Sequence, residues 1–251
     1  MHEAFFFGPD DRQIFAVYHP AVGADGRVLT VICPPLFAEL NRTYSILRKL
    51  AVALAEQGQH VLRLDYSGTG DSFGRLEDMT ISDWVEDIKL AVQEGRELSG
   101  CSTVRIVSVR ASALLASMSI GAANDIERLV LWDPIPDGSK YLQALNREQL
   151  AVLEQHHFLD RTMRHKLTCD YDMYRMSEQM MDEFRTIDSD VYSNVPRNKL
   201  RVFNTTSADE FPVQGASRDT VRHACNWETN TEGLIMSQPI LEGLSKCLTE
   251  H

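Results

Sequence analysis

Long apolar runs are missing from this sequence of 251 residues, and so is an excess of positive charge. No apolar stretch approaches the roughly 18 residues that cross a bilayer, so we predict no transmembrane helix. The first residues lack both a basic start and a long apolar core, which predicts no signal peptide. The formal net charge of −11 argues against nucleic acid or an anionic membrane as a general partner, but it allows a local basic pocket for one anionic ligand.

Paired cysteines of the metal-binding or redox type are also absent. The five cysteines form no Cys-x-x-Cys motif and are odd in number, which favours reduced thiols in a cytoplasmic protein. Gly68-Thr69-Gly70 is not a phosphate loop, because no lysine follows and no helix opens at once. We expect no cofactor and no metal ion, and the composition leaves the oligomeric state open.

Strand and helix signals alternate along the first half of the chain, as in an ordinary globular α/β protein with 43% hydrophobic and 24% charged residues. An edge hairpin is predicted over 5–18. Strands and helices are then predicted in turn at 27–33, 44–57, 60–64, 80–98, 104–109, 111–123 and 126–132, with a loop at 36–43. After a weaker region, a strand is predicted at 200–204, a last strand at 219–226 and a closing helix at 234–248. Such βαβ units form a mostly parallel sheet.

The weaker region is polar, helical and rich in methionine over 140–187. We predict a small helical cap at 140–195, inserted into a core made of 1–139 and 196–251. Ligand sites of open α/β sheets lie at the carboxyl ends of the strands, which such a cap would cover. Plain surface helices are the alternative.

Residues 104–116 are the most informative stretch, because a β-rich run leads through small residues into an Ala/Leu helix. This strand–turn–helix corner has the shape of a nucleophile elbow, which lifts one side chain above a sheet. The corner needs small residues two positions before and after its centre, and Ser108 and Ser112 supply them. The centre should hold Ser, Cys or Asp, and it holds Arg110.

The order of these signals resembles that of the α/β-hydrolase superfamily. The resemblance rests on Leu64–Ser72, the Ser108–Ser112 elbow, Leu129–Pro134 and Asp209 in the loop before Pro212. Pro34-Pro35-x-x-x-Glu39-x-Asn41-Arg42 more narrowly resembles the hydrolase-like proteins encoded with bacterial exosortase and exopolysaccharide systems. The resemblance implies an α/β-hydrolase fold, with a mostly parallel central sheet, helices on both faces and a small helical cap. It also implies a cytoplasmic role beside polysaccharide or lipid-carrier assembly.

The superfamily's usual chemistry is acyl transfer through Ser, an acid and His, in that chain order. By this resemblance Arg110 replaces the nucleophile and Asp209 matches the acid. The histidine is expected between 219 and 240, where only His223 occurs, inside the predicted last strand. Two of the three roles are therefore unfilled, and the site argues against the usual reaction.

Arg110 opens a helix, where a cation is disfavoured, and it cannot act as a nucleophile or base. It therefore needs an anion, which is Glu39, Asp133, Asp209 or a ligand. In the functional interpretation Arg110, with Arg42 and backbone N–H groups, holds a carboxylate, a phosphate or a developing oxyanion. Glu39 then serves as general acid or base if burial raises its pKa. The alternative is a structural ion pair in a dead site.

We therefore predict two groups of site residues. The catalytic group is Arg110, Glu39 and Asp209, and the substrate-binding group is Phe37, Arg42, Asp133 and Ser112. Ser108 and Ser112 are alternatives as displaced nucleophiles, although an elbow aims only its central residue at the cleft.

Three functions compete at this stage. The first is a Ser-independent enzyme acting on an anionic or carrier-linked acyl or ester substrate in a biosynthetic pathway such as exopolysaccharide assembly. The second is an inactive hydrolase homologue that binds a small acidic ligand or a partner protein. The third is a scaffold whose charge cluster is only structural.

Overall fold

The computed structural model describes residues 2–23, 26–120, 126–155, 162, 174–205, 216–223, 225, 227 and 233–250. These residues form a sheet of eight strands in the order β1-β2-β4-β3-β5-β6-β7-β8. The strands are β1 Glu3–Phe7, β2 Ile14–His19, β3 Val28–Cys33, β4 His60–Leu64, β5 Thr103–Val109, β6 Arg128–Trp132, β7 Leu200–Asn204 and β8 Ser217–Thr220. The helices are α1 Ala38–Glu56, α2 Ile81–Ser99, α3 Ser112–Ser119, α4 Gly138–Gln155, α5 Glu178–Thr186 and α6 Gln238–Thr249.

The sheet is antiparallel at one edge and parallel elsewhere. β1 and β2 form the predicted edge hairpin, β2 pairs antiparallel with β4, and every pair from β4 onward is parallel. The carboxyl ends of the parallel strands therefore meet at one edge, which is where ligand sites of such sheets lie.

The helices cover both faces of the sheet, and each face has its own apolar core. The core on one face holds residues of α2, α3, α4 and α5 around Trp84 and Tyr141. The core on the other face holds residues of α1 and α6 around Trp132 and Phe203. Burial on both faces explains why β3, β5 and β6 appear in the sequence as nearly continuous apolar runs.

Two boundaries differ from the sequence-based prediction. Residues 38–43, predicted as loop, form the first turns of α1, whose inward positions there include Glu39 and Arg42. Because these inward positions hold charged residues, the spacing of apolar residues did not indicate that the helix begins here. The last strand covers Ser217–Thr220 rather than 219–226, and three of its four residues are exposed.

The predicted cap region contains α4 and α5, followed by short 3₁₀ turns at Ser189–Asn194 and Arg197–Lys199. Met180 and Phe184 of α5, and Tyr192 of the first turn, are buried in the core shared with α2 and α3. A separate cap at 140–195 stays a prediction, and part of that range lies outside the described residues. None of the helices described here is long and apolar enough to cross a membrane.

Candidate functional site

Three residues at the carboxyl edge of the sheet have left-handed backbone, although none is glycine. Phe37 follows β3 with φ +54°, Arg110 follows β5 with φ +56° and Asp133 follows β6 with φ +44°. Side chains with a Cβ rarely adopt this conformation, and backbone strain of this kind clusters at functional sites. The elbow conformation thus persists at Arg110, although the residue type expected there is absent.

Arg110 forms an ion pair with Glu39. Arg110 Nε donates a hydrogen bond to Glu39 Oε1 at 2.9 Å, and Nη1 donates to the backbone oxygen of Asp133 at 3.4 Å. Of the two candidate carboxylates that the structure describes, Glu39 and Asp133, the one that forms an ion pair with Arg110 is therefore Glu39. Arg110 Nη2 has no hydrogen-bond partner among the described residues, which leaves two N–H donors for another acceptor.

Glu39 lies in a low-polarity environment on the first turn of α1. Its side chain is 7% exposed, and the Tyr141 hydroxyl lies 3.5 Å from Oε2. Burial raises the pKa of the Glu39 carboxyl, while the adjacent Arg110 guanidinium opposes the rise. The pKa of Glu39 is therefore shifted in the direction that a general acid or base requires.

Asp133 belongs to a different set of contacts. Its Oδ1 accepts the backbone N–H of Thr205 at 2.7 Å, and its Oδ2 accepts the Thr205 hydroxyl and, at 2.8 Å, the indole N–H of Trp227. Three donors therefore bind the Asp133 carboxylate, and its negative charge still helps to raise the pKa of Arg110.

Trp227 lies against both arginines of the site. Its ring centre is 5.1 Å from the guanidinium carbon of Arg110 and 5.6 Å from that of Arg42. These distances are those of cation–π contacts, which gain strength when water is excluded. Trp227 is 6% exposed, so it closes one side of the site.

Arg42 holds the chain segment that carries this tryptophan. Its guanidinium donates to the backbone oxygens of Gly233 at 3.0 Å, Trp227 at 3.2 Å and Cys225 at 2.7 Å. Three carbonyl acceptors fix the planar fork in place. Arg42 therefore positions Trp227, and its predicted contact with substrate stays a prediction.

Glu148 on α4 is a second buried carboxylate of the site that sequence reasoning missed. It is 6% exposed, and burial raises the pKa of its carboxyl, while the Tyr174 hydroxyl and the positive charges of Arg42 and Arg110 oppose the rise. Glu148 lies on the same face of α4 as Tyr141 and Leu145. The spacing of these three residues could have indicated a helix that faces the site.

The remaining predicted residues lie in different settings. Phe37 is half-buried and contacts the rings of Trp84, Tyr141 and Tyr174 at 6.0, 6.2 and 4.7 Å. Ser112 is buried and its hydroxyl donates to the backbone oxygen of Pro34, and Ser108 is fully buried within β5. Both serines have the packing role expected of the small residues flanking an elbow, because neither hydroxyl is exposed.

Of the two predicted acid–base residues beyond the elbow, only His223 lies within the described residues. Asp209 lies outside the described residues. His223 follows β8 by three residues instead of lying within a strand, and its side chain is exposed. No side-chain hydrogen bond of His223 to any described residue is present, and its backbone N–H donates to Val221 and Thr205 oxygens at 2.8 and 3.3 Å.

Comparison with known proteins gives a fold but no close relative. No protein-family model matches the chain, and no curated protein matches it. A protein described as a hydrolase from Agrobacterium vitis S4 is 16% identical, with a TM-score of 0.57 over 99% of this chain and 97% of its own. Est1E from Butyrivibrio proteoclasticus, solved with ferulic acid, is 15% identical, with a TM-score of 0.58 over 87% and 88%. An α/β serine hydrolase without a lid from Xanthomonas campestris is 14% identical, with a TM-score of 0.53 over 88% and 83%.

The chain has the α/β-hydrolase fold. In this fold Arg110 stands at the elbow position, between a parallel strand and the helix that follows it. In a Ser-His-Asp triad the histidine donates an N–H to the acid and accepts a proton at its other nitrogen. The Trp227 indole likewise donates an N–H to a carboxylate, that of Asp133, but it cannot accept a proton because its ring nitrogen is a donor only.

Proposed function

We propose that this hydrolase-fold protein does not catalyse acyl transfer and instead binds the acidic group of a small molecule at Arg110. The observation that carries the proposal is the 2.8 Å bond from Trp227 Nε1 to Asp133 Oδ2. If Asp133 took the role of the acid, a proton-accepting histidine would be needed beside it to activate a nucleophile, and an indole accepts no proton. The elbow guanidinium cannot attack a carbonyl either.

The binding role is supported by N–H donors of Arg110 that have no acceptor among the described residues. Arg110 uses Nε for Glu39 and Nη1 for a backbone oxygen, while Nη2 has no partner among the described residues. An Arg fork binds carboxylate or phosphate oxygens in two parallel hydrogen bonds. The buried rings of Trp227, against Arg110, and of Tyr141, against Glu39, lower the local polarity, which strengthens a charge-assisted bond.

A second candidate is the Ser-independent enzyme that acts on an anionic or carrier-linked acyl substrate, with Asp209 as a further catalytic group. The raised pKa of Glu39 favours it, because a carboxyl protonated nearer neutrality can donate and accept protons. In that mechanism Arg110 would stabilise negative charge on the substrate oxygen. The resemblance to exosortase-associated proteins favours, for either candidate, a cytoplasmic biosynthetic role such as exopolysaccharide assembly.

Ligand-induced stabilisation tests the binding proposal. The thermal unfolding midpoint is measured with acetate and with benzoate, for the wild type, Arg110→Gln and the control Arg185→Gln. Arg185 is a surface residue paired with Asp182, so its replacement makes the same charge change away from the site. We expect a saturable rise of the midpoint in the wild type and the control, and no rise in Arg110→Gln. Equal rises in all three proteins, or none in the wild type, would contradict the proposal.

A further inference from the structure

A second group of cations lies on the outer face of the edge hairpin, away from Arg110. We call it the hairpin face, and its members are His2, Phe6, Phe15, His19, Tyr44 and Arg63, together with Arg48, which follows Tyr44 by one helical turn on α1. Ring contacts connect it, with Phe6 and Phe15 at 5.5 Å, His2 and His19 at 5.4 Å, and the Arg63 guanidinium 5.5 Å from the Tyr44 ring. Phe6 and Tyr44 are about half exposed, at 53% and 50%, so the face is open to a ligand.

Arg63 is a partly buried cation without an ion-pair partner. It lies on β4, and its Nε donates to His19 Nε2 at 3.5 Å. Among the described residues, no carboxylate oxygen lies within 4.0 Å of an Arg63 guanidinium nitrogen, which is the distance that defines an ion pair. Tyr44 and, less strongly, Asp65 just beyond β4 raise the pKa of the Arg63 guanidinium, while the Asp65 Oδ2 also accepts the backbone N–H of Asp71. Burial outweighs both and lowers the pKa of Arg63, so the site favours an added negative charge.

The surroundings of His19 show that the local charge is positive. His19 is 4% exposed, and burial, followed by the charges of Arg63, His2 and Arg48, lowers the pKa of its imidazole to about 4. No carboxylate offsets these cations at His19. Glu3 of β1 alternates with His2 and Phe6 and therefore lies on the opposite face of the sheet. In a chain with a net charge of −11, this concentration of positive charge is a local exception.

A small, mostly apolar cavity adjoins Arg63. Its volume is about 20 Å³, enough for one water molecule, and its lining includes Phe15, Leu47 and Leu64 as well as Arg63 and Asp65. Low polarity beside the guanidinium weakens solvent screening of a charge bound next to it. An anion at this position would therefore interact more strongly than at an ordinary surface arginine.

We propose that the hairpin face binds a phosphate group, held by the guanidinium groups of Arg63 and Arg48. A phosphate offers three acceptor oxygens, which can take hydrogen bonds from two separate guanidinium groups, whereas a carboxylate offers two. The Tyr44 ring would contact the organic part of the ligand. The hairpin face shares no residue with the Arg110 cluster, so this site is independent of the function proposed above.

Calorimetric titration with inorganic phosphate tests the site. The proteins are the wild type, Arg63→Gln, Arg63→Lys and Arg48→Gln, with two controls. Arg27→Gln and Arg185→Gln each remove an exposed arginine elsewhere on the surface. We expect saturable binding in the wild type and both controls, weakened by about tenfold or more in Arg63→Gln and Arg48→Gln. Arg63→Lys keeps the charge but loses the fork, so its affinity should fall between these values.

A second readout follows the His19 imidazole by NMR. Bound phosphate offsets the neighbouring cations, so the pKa of His19 should rise when phosphate is added to the wild type and not when it is added to Arg63→Gln. No saturable binding by the wild type would overturn the proposal. Equal binding by the wild type, Arg63→Gln and Arg48→Gln would overturn it as well.

A vesicle arm distinguishes the source of the phosphate. Sedimentation is compared for phosphatidylcholine vesicles with and without phosphatidic acid, again with the wild type, Arg63→Gln and Arg27→Gln. Arginine-dependent binding to the acidic vesicles indicates a lipid headgroup. Binding of free phosphate without vesicle binding indicates a soluble phosphorylated ligand, and either result supports the site.

Discussion

The indole N–H of Trp227 donates to Asp133 Oδ2 at 2.8 Å, in the contact that a catalytic histidine makes with its acid in a Ser-His-Asp triad. The same indole ring lies 5.1 Å from the Arg110 guanidinium carbon. The indole ring thus contacts both the elbow residue and the Asp133 carboxylate, and it cannot accept a proton from either.

Serine-directed probes should not react with this protein. Ser108 and Ser112 flank the elbow and are both fully buried, and the Ser112 hydroxyl donates to the Pro34 oxygen. A fluorophosphonate probe followed by intact mass measurement should therefore show no adduct, while a serine hydrolase in the same reaction is labelled. An adduct mapped to Ser108 or Ser112 would restore the displaced-nucleophile alternative.

Breaking the Glu39–Arg110 pair should cost stability unless both partners are replaced. Glu39→Ala leaves a buried guanidinium without its carboxylate, so the free energy of unfolding should fall by about 3–5 kcal/mol. The double variant Glu39→Leu with Arg110→Met removes both charges and should regain most of that loss. Urea denaturation measures both values.

The matched control for this experiment is Glu86→Ala. Glu86 pairs with Lys89 at 3.1 Å on the exposed side of α2, and such surface pairs contribute about 0–1 kcal/mol. If Glu39→Ala costs no more than Glu86→Ala, then the pair is not the tightly coupled buried unit described above. If the double variant is less stable than Glu39→Ala, then the account of an unpaired Arg110 charge is wrong.

Backbone strain at the elbow predicts an unusual order of stability. Both Arg110→Gly and Arg110→Ala lose the ion pair, but only glycine adopts φ +56° without a steric penalty. The glycine variant should therefore be more stable than the alanine variant by about 1–2 kcal/mol. The reverse order is expected at Ala53 in α1, where Ala53→Gly should destabilise by about 0.5–1 kcal/mol. An alanine variant as stable as the glycine variant would mean that the elbow relaxes.

Stability should depend on pH through Asp87. This carboxylate is fully buried on α2, accepts hydrogen bonds from the Ser67 N–H and hydroxyl, and has its pKa raised by burial from 3.8 to about 6. Between about pH 4 and 6 the folded state binds more protons than the unfolded state, so the free energy of unfolding falls as pH rises through this window. The fall attributable to Asp87 is roughly 2–3 kcal/mol at most.

Asp87→Asn removes this titration and should flatten the slope between about pH 4 and 6. Denaturant unfolding at a series of pH values measures it, with Asp182→Asn as an exposed carboxylate control that keeps the wild-type slope. Identical slopes for the wild type and Asp87→Asn would show that Asp87 does not titrate in this range.

The sequence was sufficient for the fold because its signals are local and repeated. The strand signals for β3 to β7 depend on apolar runs buried on both faces, and each lies within a few residues of its observed bounds. The elbow was visible because small residues surround Arg110, and Glu39 was among its predicted partners. The last strand was misplaced because three of its four residues are exposed and leave no apolar pattern.

The rest of the site was invisible because it depends on contacts between distant segments. Trp227 reaches Asp133 across 94 residues, and Tyr141 reaches Glu39 across 102. Neither residue stands in a motif, and no periodicity distinguishes an aromatic side chain that closes a site from one that fills a core. The start of α1 was missed for a related reason, since its inward residues Glu39 and Arg42 are charged.

Hydrolysis of short- and long-chain acyl esters and acyl thioesters distinguishes a binding protein from an enzyme at this site. The proteins are the wild type, Arg110→Ala and Glu39→Gln, measured beside buffer alone. We expect no turnover above buffer in any of them, because the elbow guanidinium cannot attack and Trp227 cannot accept a proton. Turnover by the wild type that falls about a hundredfold or more in both variants, or about 3 kcal/mol of transition-state stabilisation, would contradict this expectation and establish the Ser-independent enzyme.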